Sequence, residues 1–182
     1  MLGGPPPPFT IRPCAPEDAG VLAAIGARLF RQTYVETHPE PAMSEHVART
    51  FDATRLRVEL GGGDAHALLV EDGAGAAVGY AHLRATTGPA PAGVVGARPW
   101  EILRFYVDAA WHGRGPGHAL MAACVAEARR RGADVLWVQA WQRAGRALAF
   151  YRRHGFVVVA TAKFPFGDRF DDDFIMVRRL VD

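Results

Sequence analysis

The sequence predicts a mixed α/β domain in which some strands of the sheet are antiparallel. The length of 182 residues fits one domain, and the apolar fraction of 49% is enough to build a core. Short strand-like runs alternate with segments whose apolar residues recur at helical spacing. In chain order these segments read β-α-α-α-β-β-β-α-β-α-β-β, a pattern typical of mixed sheets covered by helices.

The chain is predicted to begin with a flexible arm that leads into one domain. After Met1 and Leu2, residues 1–8 contain only Gly and Pro, a composition that does not form a packed element. We therefore expect the domain to extend over residues 9–182. Its first strand is predicted over residues 9–12, where apolar and polar side chains alternate.

Three helices are predicted to follow this strand. Pro16 and the two acidic residues after it begin a stretch with apolar residues at helical spacing. Ser44 and Asp52 are interpreted as N-caps of two shorter helices, because their side chains can accept hydrogen bonds from unpaired amides. The last of these helices is predicted to end at Leu60, before three consecutive glycines.

Strands and helices alternate in the rest of the chain. Two strand-like runs separated by a Gly-rich turn indicate a hairpin, and a segment rich in Gly, Pro and Ala after it indicates an exposed loop. The predicted elements are the hairpin strands 66–71 and 76–84, the loop 88–99, the strand 100–107, the helix 115–131, the strand 135–140, the helix 146–154, and the strands 156–161 and 173–178 around a polar loop.

Composition argues against several classes of function. The net charge of +2 is too small to indicate nucleic-acid binding, and no apolar run reaches the roughly 18 residues of a membrane span. Cys14 and Cys124 lie too far apart in sequence to indicate a disulfide framework or a metal motif. The seven histidines form no H-x-x-x-H pair, so we expect no metal site. We expect a cytoplasmic protein with no membrane or nucleic-acid partner.

The most informative segment is a glycine-rich loop between a predicted strand and a predicted helix. Gly113, Gly115 and Gly117 fall within five residues, so the backbone can approach a bulky anion closely. The start of the helix adds unpaired N–H groups and a partial positive charge. Together they predict a phosphate or diphosphate site, to which Arg114 and a protonated His112 would add charge. A glycine-rich corner that binds no ligand is the alternative.

Two common nucleotide-binding motifs do not fit this loop. A Walker A motif needs a lysine after the second glycine, and the chain has a single lysine, Lys163, far from the loop. The dinucleotide fingerprint G-x-G-x-x-G fails because His118 stands at its third glycine position. An enzyme that uses another phosphate-bearing ligand stays open at this point.

The residues around the loop resemble those of a known superfamily. The strand end at residues 105–108 and the loop at residues 112–117, followed by Ala119 and Leu120, resemble the acetyl-CoA motif of the GNAT N-acetyltransferases. Residues 141–156 resemble the second signature of this superfamily. Residues 164–176 are similar to the polyamine-acetylating PaiA-type subgroup.

This resemblance implies a fold and a location for the cofactor. The fold would be a twisted, mostly antiparallel sheet flanked by helices. Residues 103–107 and 135–140 would form a splayed strand pair, and acetyl-CoA would bind in the cleft between them. The residues that would contact it are Phe105, Tyr106, Val107, His112, Gly113, Arg114, Gly115, Pro116, Gly117, His118, Ala144 and Tyr151.

Three positions depart from the superfamily pattern. His112 stands where Gln or Arg is usual, so its charge would depend on pH. Pro116 has no N–H to donate to a phosphate, and Ala144 stands where Asn is common. These departures motivate an alternative, in which the protein is a non-catalytic acyl-CoA-binding or regulatory module.

The resemblance implies acetyl transfer to a primary amine by direct attack in a ternary complex. Glu101 is a candidate general base, because it lies eleven residues before His112, a spacing that some members share, and because its apolar neighbours would raise its pKa. A carboxylate paired with an arginine is the alternative, and a water relay is another. The amide of Phe105 would stabilise the developing oxyanion.

The general acid and the acceptor complete the expected reaction. Tyr151 is the candidate acid toward the departing thiolate, the alternative being an aromatic residue packed on a helix face. Asp168 and residues 171–173 would attract a cationic acceptor, unless they form only a charged hairpin loop. A polyamine-like small molecule is the favoured acceptor, and a homodimer is left open by the resemblance.

Overall fold

The structure is a computed structural model that describes residues 8–180. Its strands are β1 (Phe9–Pro13), β2 (Ala65–Asp72), β3 (Ala77–Ala85), β4 (Pro99–Val107), β5 (Val135–Trp141), β6 (Val157–Phe166) and β7 (Arg169–Arg179). Its helices are α1 (Ala19–Tyr34), α2 (Ala42–Thr50), α3 (Ala53–Gly61), α4 (Pro116–Arg130) and α5 (Gly145–Arg153). The predicted order of elements is confirmed. The predicted arm lies, apart from Pro8, outside the described residues.

The seven described strands form one sheet in the order β1-β2-β3-β4-β5-β7-β6. All neighbouring pairs are antiparallel except β4 and β5, which are parallel. Helices α1, α2 and α3 pack on one face of the sheet, and α4 and α5 pack on the other, each over its own buried core. The mixed, mostly antiparallel sheet that the sequence predicts is therefore confirmed.

The parallel pair at the centre of the sheet opens into a cleft. Strands β4 and β5 pair only at their starts, through Pro99 with Val135, Trp100 with Leu136 and Glu101 with Trp137. Beyond this point β4 stays paired with β3 and β5 with β7. The cleft therefore lies between the later halves of β4 and β5. The resemblance implies the splayed pair correctly at residues 103–107, but residues 135–137 of the second strand are still paired with β4.

One of the two predicted helix caps is confirmed and the other is wrong. Asp52 precedes α3, and its Oδ1 accepts a hydrogen bond from the amide of Arg55 at 2.8 Å. Ser44 lies inside the first turn of α2, which begins at Ala42. The Ser44 amide donates to the carboxylate of Glu40 at 3.0 Å, so this acidic side chain supplies the acceptor that was assigned to Ser44.

The polar loop predicted between the last two strands is also wrong. Strands β6 and β7 pair continuously from Val157 with Val177 to Phe166 with Arg169, with one irregularity near Val158. Only Gly167 and Asp168 remain as the turn. Charged residues of this hairpin lie on strands because a paired strand tolerates side chains that point to solvent, as those of Lys163 and Asp172 do. The acidic residues are thus held on a rigid element.

Candidate active site

The glycine-rich loop between β4 and α4 has a backbone that favours glycine. Gly113 has a φ of 77° and Gly115 a φ of 100°, in the left-handed region where a Cβ atom causes strain. Gly115 directly precedes Pro116, the first residue of α4. Pro116 thus occupies a first helical position, as predicted, where its missing N–H removes no helical hydrogen bond.

Some amides of this loop are paired internally and others are free. The amide of His112 donates to the carbonyl of Ala109 at 3.1 Å, and that of Arg114 donates to the carbonyl of Trp111 at 3.2 Å. Unpaired amides at a helix start can bind an anion. Among the described residues, no acceptor is present for the amides of Gly113, Gly115, Gly117 and His118.

The charged side chains of the loop have partners of their own. His112 Nε2 lies 2.8 Å from the carbonyl oxygen of Val107, so the imidazole ties the loop to the end of β4. Only its Nδ1 is left for an anion. The guanidinium of Arg114 lies 5.9 Å from the centre of the Trp111 ring and is exposed. The phosphate contacts expected of both side chains stay predictions.

Helix α5 packs against the start of α4 and narrows the space beside the loop. A Cβ atom on Gly117 would lie 3.6 Å from the Phe150 ring, so a larger side chain would crowd it. His118 Nδ1 lies 2.9 Å from His154 Nε2. Burial, with a smaller contribution from His118, lowers the pKa of His154. The side chain of His118 is thus engaged, while its amide stays free.

The end of β4 presents one backbone edge to the cleft. Phe105, Tyr106 and Val107 pair with Ala81, Tyr80 and Gly79 of β3, respectively. Within residues 8–180, no strand pairs with their opposite edge, because β5 has already diverged. Backbone groups on this edge can bind an extended ligand as a neighbouring strand would. The roles expected of these three residues in cofactor binding stay predictions.

Tyr151 lies in α5, beside the cleft. Its side chain is buried, with its ring centre 6.4 Å from that of Phe105 and 5.6 Å from that of Phe156. Burial raises the pKa of Tyr151, and the nearby Tyr34 phenol and Cys124 thiol raise it further. The phenol is therefore protonated at neutral pH and can donate a hydrogen bond or a proton.

Ala144 directly precedes α5 and contributes no side-chain hydrogen bond at this helix start. Its amide donates to the carbonyl of Trp141 at 3.0 Å. The only groups it can offer a cofactor are therefore its carbonyl and its methyl group.

Glu101 lies where β4 and β5 are still paired, and it forms an ion pair. Its Oε2 is 2.6 Å from Nε of Arg84 on β3. Burial raises the pKa of Glu101, and Arg84 opposes this effect. A cavity of about 320 Å³ adjoins the pair, with Thr86 and Trp137 in its lining. The ion pair agrees with the alternative stated for Glu101, and its role as a base stays a prediction.

The other face of the sheet has an aromatic wall that the sequence did not reveal. Tyr34 and His38 have their ring centres 6.2 Å and 5.4 Å from that of Trp141, and His38 lies 4.4 Å from Phe166. A cavity of about 360 Å³ opens beside Trp141 and Asp171. The aromatic wall combines segments that are distant in the chain, so no local pattern could predict it. The one local indication of an aromatic site there was Tyr34 at the end of a predicted helix.

The phenols on the two faces of the sheet come close together at the cleft. Burial raises the pKa of Tyr106 well above its ordinary value, and the phenols of Tyr34, Tyr80 and Tyr151 add to this effect. Tyr34 belongs to the helices on one face and Tyr151 to those on the other. The glycine-rich loop follows the strand on one side of the cleft, and Trp141 of the aromatic wall ends the strand on the other side.

The three successive aspartates of β7 have different surroundings. Asp171 lies 2.7 Å from Nε2 of His38. Asp172 is exposed and lies 2.5 Å from the ammonium of Lys163. Asp173 is buried, and its Oδ2 accepts a hydrogen bond from Gln139 at 2.9 Å.

Residues 8–180 contain neither a cluster of metal-binding side chains nor a membrane-spanning helix. No three His, Cys, Asp or Glu side chains there come together as a metal site. None of the helices in this range is both long and apolar enough to cross a membrane.

Comparison with known proteins identifies the family. Residues 27–156 match the model of the Acetyltransferase (GNAT) family. An uncharacterized N-acetyltransferase of Mycobacterium tuberculosis is 31% identical over 167 residues, which cover 90% of this chain and 99% of that protein. The chain belongs to the GNAT family. This membership makes it an acyltransferase with acetyl-CoA as the co-substrate.

Solved structures show the same fold. PaiA N-acetyltransferase of Thermoplasma acidophilum, crystallised with coenzyme A, is similar with a TM-score of 0.75 at 18% identity, over 94% of this chain and 98% of that chain. A GCN5-related N-acetyltransferase of Rhodopseudomonas palustris has a TM-score of 0.70 at 24% identity, over 98% of each chain. At these identities the two likenesses concern the fold of this GNAT protein.

Proposed function

We propose that this GNAT protein acetylates a primary amine of a small cationic molecule, with a polyamine favoured, by direct attack in a ternary complex. The observation that carries the proposal is the cleft between β4 and β5. The loop with four unpaired amides follows the strand on one side of this cleft, and Trp141 of the aromatic, acidic wall ends the strand on its other side. The PaiA structure with coenzyme A supports the subgroup by its fold.

The loop and the free edge of β4 divide the binding of acetyl-CoA between them. The amides of Gly113, Gly115, Gly117 and His118 would bind the diphosphate, because they are unpaired and precede or begin a helix. The exposed backbone edge of residues 105–107 would bind the pantetheine arm. Acetyl-CoA supplies the acetyl thioester as acyl donor.

The acceptor must lose a proton before its nitrogen can attack the carbonyl carbon. An alkylammonium has a pKa near 10.4, so a base or a water relay is required. Glu101 is the candidate base, and burial raises its pKa in the useful direction. Because Arg84 holds one carboxylate oxygen, the proton would reach the other oxygen, directly or through water.

Two groups of the chain would stabilise the charges that develop during transfer. The amide of Phe105, on the free edge of β4, would donate to the oxygen that gains negative charge. As the C–S bond breaks, Tyr151 would donate its proton to the sulfur. The raised pKa of Tyr151 keeps the phenol protonated until that step.

An assay of thiol release from acetyl-CoA tests this function. Spermidine, spermine and putrescine are compared with amino acids and short peptides, using the wild type and Tyr151→Phe. We expect turnover with the polyamines and a loss of at least tenfold in kcat for the variant, with CoA affinity preserved. Binding of CoA by calorimetry without turnover on any amine would contradict the proposal and favour the non-catalytic module.

Two finer points accompany the proposal. We place the protein in the cytoplasm, since Cys14 and Cys124 are both free thiols. A homodimer stays a prediction, which light scattering of the purified protein tests.

A further inference from the structure

Asp173 is unusual among the carboxylates near the aromatic wall, because it is buried and has no cationic partner among the residues that the structure describes. Only 6% of its surface is exposed. Within residues 8–180, no Arg, Lys or His nitrogen lies within 4.0 Å of its carboxylate. Its neighbours Asp171 and Asp172 both have such partners. A buried charge without a partner is unfavourable, so proteins usually pair it or use it.

Neighbouring charges make a negative charge on the buried Asp173 carboxylate still less favourable. Burial raises its pKa, and Asp171 and Asp172 raise it further, while Gln139 and His38 oppose them. The hydrogen bond from Gln139 fixes one carboxylate oxygen and supplies no charge. Lys163 and Arg169 pair with Asp172 and Asp171, and the guanidinium of Arg143 lies 5.5 Å from the centre of the Trp141 ring, but none of these three cations pairs with Asp173. A further cation that reached the Asp173 carboxylate would therefore be stabilised.

The position of Asp173 places this carboxylate at the aromatic wall. It pairs with Trp141 across β5 and β7, so the two side chains lie on the same face of the sheet. Trp141 packs against Tyr34. Burial raises the pKa of Tyr34, and Asp173 and Asp171 contribute to this shift. Aromatic faces beside a carboxylate are a favourable environment for an alkylammonium group.

We propose that Asp173 is the residue that selects a cationic acceptor, by binding an ammonium group of the acceptor against Trp141 and Tyr34. This inference rests on the proposed function and names the recognition element of its acceptor. Asp173 acts in binding and not in proton removal. Its loss should therefore raise KM for the amine and leave kcat nearly unchanged.

The chain offers a matched control on the same strand. Asp173→Asn and Asp172→Asn each remove one negative charge from β7, but Asp172 is exposed and paired with Lys163. With spermidine, we expect Asp173→Asn to raise KM at least tenfold, with kcat within threefold and KM for acetyl-CoA unchanged. Asp172→Asn should change the KM for spermidine less than threefold. Equal effects of the two variants would overturn the proposal.

A second readout does not depend on turnover. If Asp173 is a buried carboxylate kept for binding, Asp173→Asn should raise the urea midpoint of the free protein, whereas Asp172→Asn should not. Calorimetry of spermidine binding to the protein saturated with CoA should show loss of affinity only in Asp173→Asn. If no amine is acetylated but this pattern holds, the proposed function fails and Asp173 still binds a cation. A lower midpoint with unchanged spermidine affinity would assign Asp173 a structural role and overturn the inference.

Discussion

Gly115 offers the sharpest test of the loop geometry, because its φ of 100° is unfavourable for any residue with a side chain. Substitution by alanine meets no steric obstacle from residues 8–180, since the nearest atom to an added Cβ is a Phe9 ring carbon at 3.9 Å. The whole effect of Gly115→Ala is therefore backbone strain. A non-glycine residue held in this region of φ lowers the free energy of unfolding by about 1–3 kcal/mol.

This strain has two consequences that can be measured separately. If the loop keeps its conformation, the free energy of unfolding falls by that amount. If the loop relaxes, the amides that flank Gly115 turn away from their present directions and CoA binding weakens, by about tenfold for each 1.4 kcal/mol. We expect the fall in unfolding free energy, measured with urea, and the loss of CoA binding free energy, measured by calorimetry, to add up to the strain energy of the substitution.

Gly20 is the matched control for this substitution. It lies exposed near the start of α1, where an added Cβ has no neighbour within 4 Å and φ is not in the left-handed region. Gly20→Ala should stabilise the protein by about 0.5–1 kcal/mol and leave CoA affinity unchanged. If Gly115→Ala matched Gly20→Ala in stability and in CoA binding, the described loop conformation would be wrong.

Two further predictions concern buried ionisable groups. Burial lowers the pKa of His46 from 6.5 to about 4, so the neutral imidazole is favoured in the folded state. The stability that depends on neutral His46 is fully present above pH 6.5. It is lost as the pH falls toward 4, by up to about 3 kcal/mol. Urea midpoints at pH 7 and pH 5 should differ less in His46→Phe than in the wild type, and an equal difference would refute this. Glu101→Gln should lower kcat at least tenfold and remove the acidic limb of the pH–rate profile, if the base is Glu101. Loss of stability with kcat unchanged would instead limit Glu101 to its ion pair with Arg84.

Local sequence signals predicted the elements around the cofactor site well. Gly113 and Gly115 before Pro116, and Gly117 after it, specify a tight loop and a helix start, because both depend on backbone preferences of the residues themselves. The cap at Asp52 was predictable for the same reason. Family resemblance then supplied the splayed strands, which the pairing of β4 and β5 confirms.

Features that depend on distant contacts were missed. The Ser44 cap failed because α2 begins before Ser44, at Ala42, and Glu40 accepts from the amide of Ser44 itself. The strands predicted for the β6–β7 hairpin were too short, because charged residues resemble a loop when the strand that pairs with them is unknown. His38 and Asp171 are 133 residues apart in the chain, so no local pattern could reveal their contact. The aromatic wall is built mainly from such contacts.

Amide chemical shifts during titration with coenzyme A test the central claim directly, namely that free amides of the loop bind the diphosphate. In ¹⁵N-labelled protein, CoA should shift the Gly113, Gly115, Gly117 and His118 amides most strongly. Pantetheine, which lacks the diphosphate, should leave these four amides nearly unchanged. Saturating CoA that shifts residues elsewhere while leaving these four unmoved would contradict the account.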